Sequence, residues 1–414
     1  MKGFFVLSTS LLISALTLWG GELAFTGTTD KAVALYQPGE KMVFGVQLLD
    51  DGKPMAGKNL QWRRTGDDAQ TETGKAVSSE TEPLTVSTTL ETPGFVRIEV
   101  WAVDEQDNPL VDAKNKPVRF DGGAGVEVEK LEGIPEPTDF DEFWTKQKVR
   151  LAEVPLKFTL TEVPSTTPGF VVYDVKIDCA GGKPVSGYFT KPKNAAPKSL
   201  KAQIGFMGYG VASASPGYAA GTLTLNINAH GIENSKDAAY YENLKNGELK
   251  GYAFKNDENA KPETAYFNGM ILRVLRALEF LKAQPEWNGK DLTATGGSQG
   301  GFQALAAAAL DKDVSVCVPS IPWCCDLGGI KLGRLRGWRP DYTDGLGYYD
   351  AANMAKRIHC ETRIIAGLGD YVCPPSGVCV LYNNLKAPKQ LELLQGKTHP
   401  YTPPNPQKIT LSSH

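Results

Sequence analysis

The sequence predicts an α/β protein, a mostly parallel central sheet covered by helices, preceded by a small all-β sandwich. Three observations lead there. From about residue 200, short apolar runs alternate with helical patterns, as in a parallel sheet wrapped on both faces. Before about residue 125, apolar residues alternate strictly with polar ones between turn signals. A stretch rich in glycine and proline separates the two regions.

Residues 1–21 read as a secretory signal peptide. Lys2 gives a basic start, and Phe4 to Leu18 is mostly apolar. No Cys directly follows this apolar segment, so no lipid anchor is expected. The expected location is secreted or periplasmic, with no membrane attachment once the signal is removed.

Residues 22–125 read as the sandwich, Ig-like in its short alternating strands. Met42, Phe44, Val46 and Leu48 keep a period of two, as do Val96, Ile98 and Val100. No His precedes His230, so the chemistry is expected not to need this region. Asp121 to Gly125 reads as a flexible break, and 126–137 as a linker stiffened by Pro135 and Pro137.

Residues 138–414 carry the strand–helix alternation. Thr138 to Asp141 fits a capping box for a helix with Phe140, Phe143 and Trp144 on its apolar side. Tyr173 to Ile177 and Val185 to Phe189, joined through Gly181-Gly182, read as a hairpin. Strands are expected at 202–206, 222–227, 292–294, 314–318, 363–366 and 391–394. Met270, Ile271, Val274, Leu275, Leu278 and Leu281 mark a helix, and Phe302 to Leu310 another.

The 414 residues suit two or three domains, with 41% hydrophobic and 22% charged residues, as in an ordinary globular chain. The net charge is −3, with Lys and Arg scattered, so nucleic acid is not an expected partner. All seven Cys lie from Cys179 onward, six of them in the second half, and an odd number leaves at least one unpaired in a monomer. Their pairing is not legible from spacing. Metal binding fits poorly, because no C-x2-C pair faces another and none of the four His has ligand spacing.

Gly296-Gly297-Ser298-Gln299-Gly300 fits G-x-S-x-G, with a strand before it and a helix after it. That is the setting of a nucleophile elbow, in which flanking glycines let strand and helix approach. A Gly-rich turn with Ser298 as a simple N-cap is the alternative. An α/β-hydrolase places its acid and then its His downstream of the Ser. His399 follows the last apolar strand, whereas His359 precedes a strand and His414 ends the chain. Asp370 follows the strand before, where it would orient the His399 imidazole. Asp326 and Asp350 are rivals that follow no clear strand.

Three strings resemble the acetyl xylan esterase/cephalosporin C deacetylase family. They are Pro137 to Trp144, Gly296 to Gly301, and Gly367-Leu368-Gly369-Asp370-Tyr371-Val372-Cys373-Pro374-Pro375-Ser376. The similarity runs over about residues 134 to 400. It implies an α/β-hydrolase that removes O-acetyl groups from carbohydrates, with no metal and no cofactor. Its triad maps onto Ser298, Asp370 and His399, and its oxyanion donors onto the backbone N–H groups of Tyr209 and Gln299. The family's ring-like homo-oligomers would have to accommodate the extra N-terminal domain. The chain also has Asn228-Ala229-His230-Gly231 where the family has Asp-x-Arg-Gly-Gln, and Pro400 after His399. The competing readings are a serine hydrolase for another acyl group, such as a peptide or uronic-acid ester, and a non-enzymatic carbohydrate-binding protein.

Overall fold

The computed structural model describes residues 22–112 and 114–413. The signal-peptide reading of residues 1–21 and the terminal His414 lie outside the described residues.

Nine strands come first: β1 (Leu23–Thr29), β2 (Leu35–Tyr36), β3 (Met42–Asp50), β4 (Lys53–Pro54), β5 (Asn59–Gly66), β6 (Glu72–Val77), β7 (Leu84–Thr88), β8 (Gly94–Val103) and β9 (Arg119–Val126). They make a four-stranded sheet, with β3 between β1 and both β4 and β7, and a five-stranded sheet in the order β2-β9-β8-β5-β6. The period-two residues Met42, Phe44, Val46 and Leu48 of one sheet are buried, as are Val96, Ile98 and Val100 of the other. All belong to one apolar cluster.

The structure corrects the reading of Asp121 to Gly125 as a flexible break. These residues are the body of β9, paired with β8 from Trp101↔Arg119 to Gly94↔Val126. The glycines serve close approach rather than flexibility. A Cβ on Gly123 would lie 2.3 Å from the Val96 carbonyl oxygen. The following segment is pinned as well. Val128 and Leu131 are buried, and the Asn383 amide donates to both of their carbonyls at 2.9 Å.

The remaining ten strands form one sheet. They are β10 (Phe158–Val163), β11 (Phe170–Ile177), β12 (Val185–Pro192), β13 (Leu200–Phe206), β14 (Thr222–Ile227), β15 (Trp287–Gly297), β16 (Val316–Ser320), β17 (Glu361–Gly367), β18 (Lys389–Leu394) and β19 (Lys408–Ser413). Their order is β10-β11-β12-β14-β13-β15-β16-β17-β18-β19. From β14 to β18 the neighbours run parallel, and the outer pairs on both sides run antiparallel. The crossover from β13 to β14 and back to β15 reverses the strand order next to β15. Sites in such sheets collect at the carboxyl edge near a reversal of this kind.

The helices are α1 (Phe140–Ala152), α2 (Ala238–Asn246), α3 (Asn256–Asn259), α4 (Tyr266–Lys282), α5 (Gln299–Leu310), α6 (Ala351–Ala355) and α7 (Pro375–Asn384). The capping box expected at α1 does not form. Asp139 is the N-cap residue without a side-chain cap bond, and its carboxylate instead accepts from the Tyr348 hydroxyl. Asp141 is drawn away to Arg357, whose Nε lies 2.7 Å from it. The alanines 304, 306 and 307, all fully buried, let α5 sit close against the sheet. Among the described residues no helix is long and apolar enough to cross a membrane. All seven cysteines are unpaired, and six are buried.

The N-terminal strands press on the sheet's carboxyl-edge loops. The Gln395 side chain brackets Gly123, accepting from its N–H at 2.8 Å and donating to its carbonyl at 2.9 Å. Asp67 accepts from the Phe95 N–H at 2.9 Å and from the Leu335 N–H at 3.0 Å, tying the two regions again.

Candidate active site

β15 ends at Gly297 and α5 begins at Gln299, leaving Ser298 alone in the turn. Its φ of 56° and ψ of −121° are unfavourable for a residue with a side chain, costing roughly 1–3 kcal/mol. Neighbouring backbone holds it there. The Ser298 N–H donates to Ser320 O at 2.9 Å, and its carbonyl accepts from Phe302 and Trp323 N–H, both at 3.1 Å. The turn also needs bare backbone nearby. A Cβ on Gly300 would lie 2.2 Å from Phe206 O, on the adjacent strand. The Ser298 hydroxyl makes no cap bond to the helix. It lies 3.0 Å from His399 Nε2.

His399 stands on the loop after β18. Its Nδ1 is 2.9 Å from Asp370 Oδ2. Asp370 is fully buried in the loop after β17, and its other oxygen accepts from the N–H groups of Val372 and Cys373, both at 3.0 Å. A carboxylate accepts, so Nδ1 carries the proton and Nε2 is free to accept from the Ser298 hydroxyl. The acid and histidine loops are joined directly, since Gly369 N–H donates to Lys397 O at 3.1 Å. A Cβ on Gly369 would lie 1.9 Å from Asp121 O, so the acid loop is also seated on β9.

The structure thus brings Ser298, Asp370 and His399 into one hydrogen-bonded line. The rivals have other partners. His359 is exposed ahead of β17. Asp326 pairs with Arg334. Asp350 caps α6 through Ala352 N–H and accepts from Asp326 and Leu327 N–H at 2.9 and 2.6 Å. Burial pushes its carboxyl up to about 7.

Gly208-Tyr209-Gly210 follows β13 and passes beside the nucleophile turn. A Cβ on Gly208 would lie 4.0 Å from Ser298 Cβ. Gln299 is the first residue of α5, where backbone N–H groups lack helical acceptors.

An aromatic cluster lines this corner. Tyr209 stacks on Tyr252 at 4.2 Å and meets Trp338 edge-on at 4.7 Å and Trp323 at 5.7 Å. Phe254 packs on Trp338 at 4.7 Å. Trp323 lies just beyond the carboxyl end of β16, with its N–H bonded to Ser298 O. Tyr252, Phe254 and Trp338 sit on loops with no apolar period, so no sequence pattern singled them out.

Among the described residues, one group of His, Cys and acidic side chains is close enough to share a metal: Asp370, Cys373 and His399, with candidate ligand atoms within 4.8 Å of one another. The fit is poor. Asp370 already accepts from two backbone N–H groups and the imidazole. Burial pushes the Cys373 thiol well up, which disfavours the thiolate a metal would need.

Acetyl esterase Axe7A of Xylanibacter ruminicola is 30% identical over 275 residues, 61% of this chain and 61% of that protein. The chain therefore matches less than two thirds of that relative's length. Acetyl xylan esterase 1 from Thermoanaerobacterium sp. JW/SL YS485 superposes with a TM-score of 0.56 at 25% identity, over 67% of this chain and 93% of that one. The acetyl xylan esterase from Paenibacillus sp. R4 gives 0.54 at 26% identity, over 66% and 93%. The ten-stranded sheet and its helices are thus an α/β-hydrolase fold. The family model described as acetyl xylan esterase (AXE1) matches residues 128–332 and 339–412. The chain belongs to the acetyl xylan esterase family, a family of carboxylic ester hydrolases.

Proposed function

We propose that this protein is a secreted or periplasmic carbohydrate O-acetyl esterase. The observation that carries the reading is the line from Ser298 Oγ through His399 to Asp370 at the carboxyl edge of the sheet. His399 Nε2 takes the Ser298 proton as Oγ attacks the acetyl carbonyl. Asp370 holds the imidazole in the required tautomer and stabilises the imidazolium. The Tyr209 and Gln299 N–H groups donate to the developing oxyanion. His399 then returns the proton to the leaving sugar hydroxyl, leaving an acetyl-enzyme. Water activated by His399 attacks that ester and releases acetate.

In this reading residues 22–125 are an accessory β-sandwich domain, 126–137 the connector and 138–414 the esterase domain. The substrate is an acetylated carbohydrate. The test is acetate release from acetylated xylan and other acetylated glycans, with Ser298→Ala and His399→Ala beside the unaltered protein. Both variants should lose several orders of magnitude in kcat while staying folded, and His359→Ala should not. Near-native turnover by Ser298→Ala, or no acetate from any acetylated glycan, would overturn the proposal.

A further inference from the structure

The segment Asn228-Ala229-His230-Gly231 departs from the family's Asp-x-Arg-Gly-Gln pattern, and the triad does not use it. Its histidine is nonetheless well placed. His230 is 3% exposed, with Nε2 2.8 Å from the Gly210 carbonyl oxygen. A carbonyl only accepts, so Nε2 carries the proton. Nδ1 then accepts from the Tyr266 hydroxyl, its other partner. Burial pushes the imidazole down to about 4, which keeps it neutral near pH 7.

The other side of Gly210 is held too. Its N–H donates to the Tyr252 hydroxyl at 2.9 Å. Having accepted there, that hydroxyl donates to Gln299 Oε1 at 3.0 Å. The Tyr252 ring lies under Tyr209, 10° from parallel, and the Tyr209 hydroxyl donates to Tyr252 O at 3.2 Å. A hydrogen-bonded line therefore runs from His230 through Gly210 and Tyr252 to Gln299. It links the loop that carries Tyr209 to the helix start that carries Gln299.

We infer that His230 and Tyr252 are positioning residues for the oxyanion site: their line of hydrogen bonds fixes the Tyr209 and Gln299 N–H donors relative to each other. The inference rests on the oxyanion role proposed above. Negative charge appears on the carbonyl oxygen only as the tetrahedral species forms, so donor alignment matters there and little in the ground state. Each member of the line is buried or half-buried, so loss of a hydroxyl leaves its partners unpaired and the two donors free to drift.

Tyr252→Phe removes the hydroxyl and keeps the stacked ring. With p-nitrophenyl acetate, kcat should fall by roughly ten- to a hundredfold, less than outright loss of an oxyanion donor, and KM should stay within about twofold. The affinity for methylboronic acid should fall with kcat, because its tetrahedral Ser298 adduct places an oxygen in the oxyanion site. His230→Leu should behave alike, and His230→Gln, whose amide can still donate to Gly210, should recover part of the loss. A folded Tyr252→Phe or His230→Leu enzyme with unchanged kcat and unchanged boronate affinity overturns the inference. So does a loss expressed only in KM. Ser298→Ala separates the two levels: if it is inactive while Tyr252→Phe is unimpaired, the positioning role fails and the esterase reading stands. If Ser298→Ala is active, the esterase reading itself fails.

Discussion

The Arg97 guanidinium lies 4.2 Å from the centre of the Tyr371 ring, one residue beyond Asp370. Arg97 belongs to β8 of the N-terminal strands, and Asp121 and Glu99 hold it at 2.6 and 2.9 Å. With Asp121 O against Gly369 and Gln395 around Gly123, the N-terminal sheet forms a wall of the loop that carries the acid.

Residues 22–125 hold no catalytic group in our reading, yet their packing argues that they matter to rate. A chain beginning near residue 126 would expose Tyr371 and leave the Asp370 loop seated on one side only. Displacements of about 1 Å at such a site can cost about a hundredfold. We expect the shortened chain to lose at least roughly tenfold in kcat/KM on p-nitrophenyl acetate, with Arg97→Ala in between. Full activity in a folded shortened chain would show that the acid loop holds itself.

Acyl size should be discriminated by the aromatic corner. Tyr209, Trp323 and Phe254 pack on one another, and Trp323 N–H is bonded to Ser298 O in the nucleophile turn. Each extra methylene in a pocket wall changes binding by about 1–3 kcal/mol, so a strong preference needs a steric block. p-Nitrophenyl acetate should exceed the butyrate ester by at least roughly tenfold in kcat/KM. Phe254→Ala should narrow that ratio. Equal or faster butyrate hydrolysis by the unaltered protein would favour a general carboxylesterase.

His230 also gives a stability signature. Its folded value of about 4 lies below the ordinary 6.5 because burial disfavours the charged ring. Arg273 adds to this from nearby, while Tyr252 and Tyr266 also face the ring. The unfolded chain binds the proton first as pH falls, so the contribution is complete above 6.5 and is lost between 6.5 and about 4. The full swing is on the order of 3 kcal/mol. Urea titrations at pH 7 and pH 4.5 should show a smaller acid loss for His230→Gln than for the unaltered protein. Identical losses would mean that His230 is protonated in the folded state.

The legible parts of the fold were those with a period. Met270 to Leu281 marked α4, and Met42 to Leu48 marked β3. β10 and β19 escaped because they are edge strands with little burial, and residues such as Thr161 and Ser412 face solvent. The glycine-rich stretch Asp121 to Gly125 misled, because glycine signals both flexible chain and close backbone approach, and only the neighbours decide which. The places of Ser298, Asp370 and His399 followed from strand ends and chain order. The support of Gly210 by His230 and Tyr252 did not, because it joins loops far apart in sequence through side chains with no shared pattern.

The contacts that seat the nucleophile and acid turns are made by backbone on backbone: Gly300 against Phe206 O, Gly369 against Asp121 O, Gly123 against Val96 O. Such joints have an uneven tolerance to mutation. At the residues that supply the carbonyls any amino acid brings the same oxygen, so only their buried side chains limit what is tolerated. The glycines facing them cannot accept even one methyl group. A saturation library would therefore show sharp, isolated columns of intolerance at these glycines, beside columns at Phe206 and Val96 that still admit apolar residues of similar size.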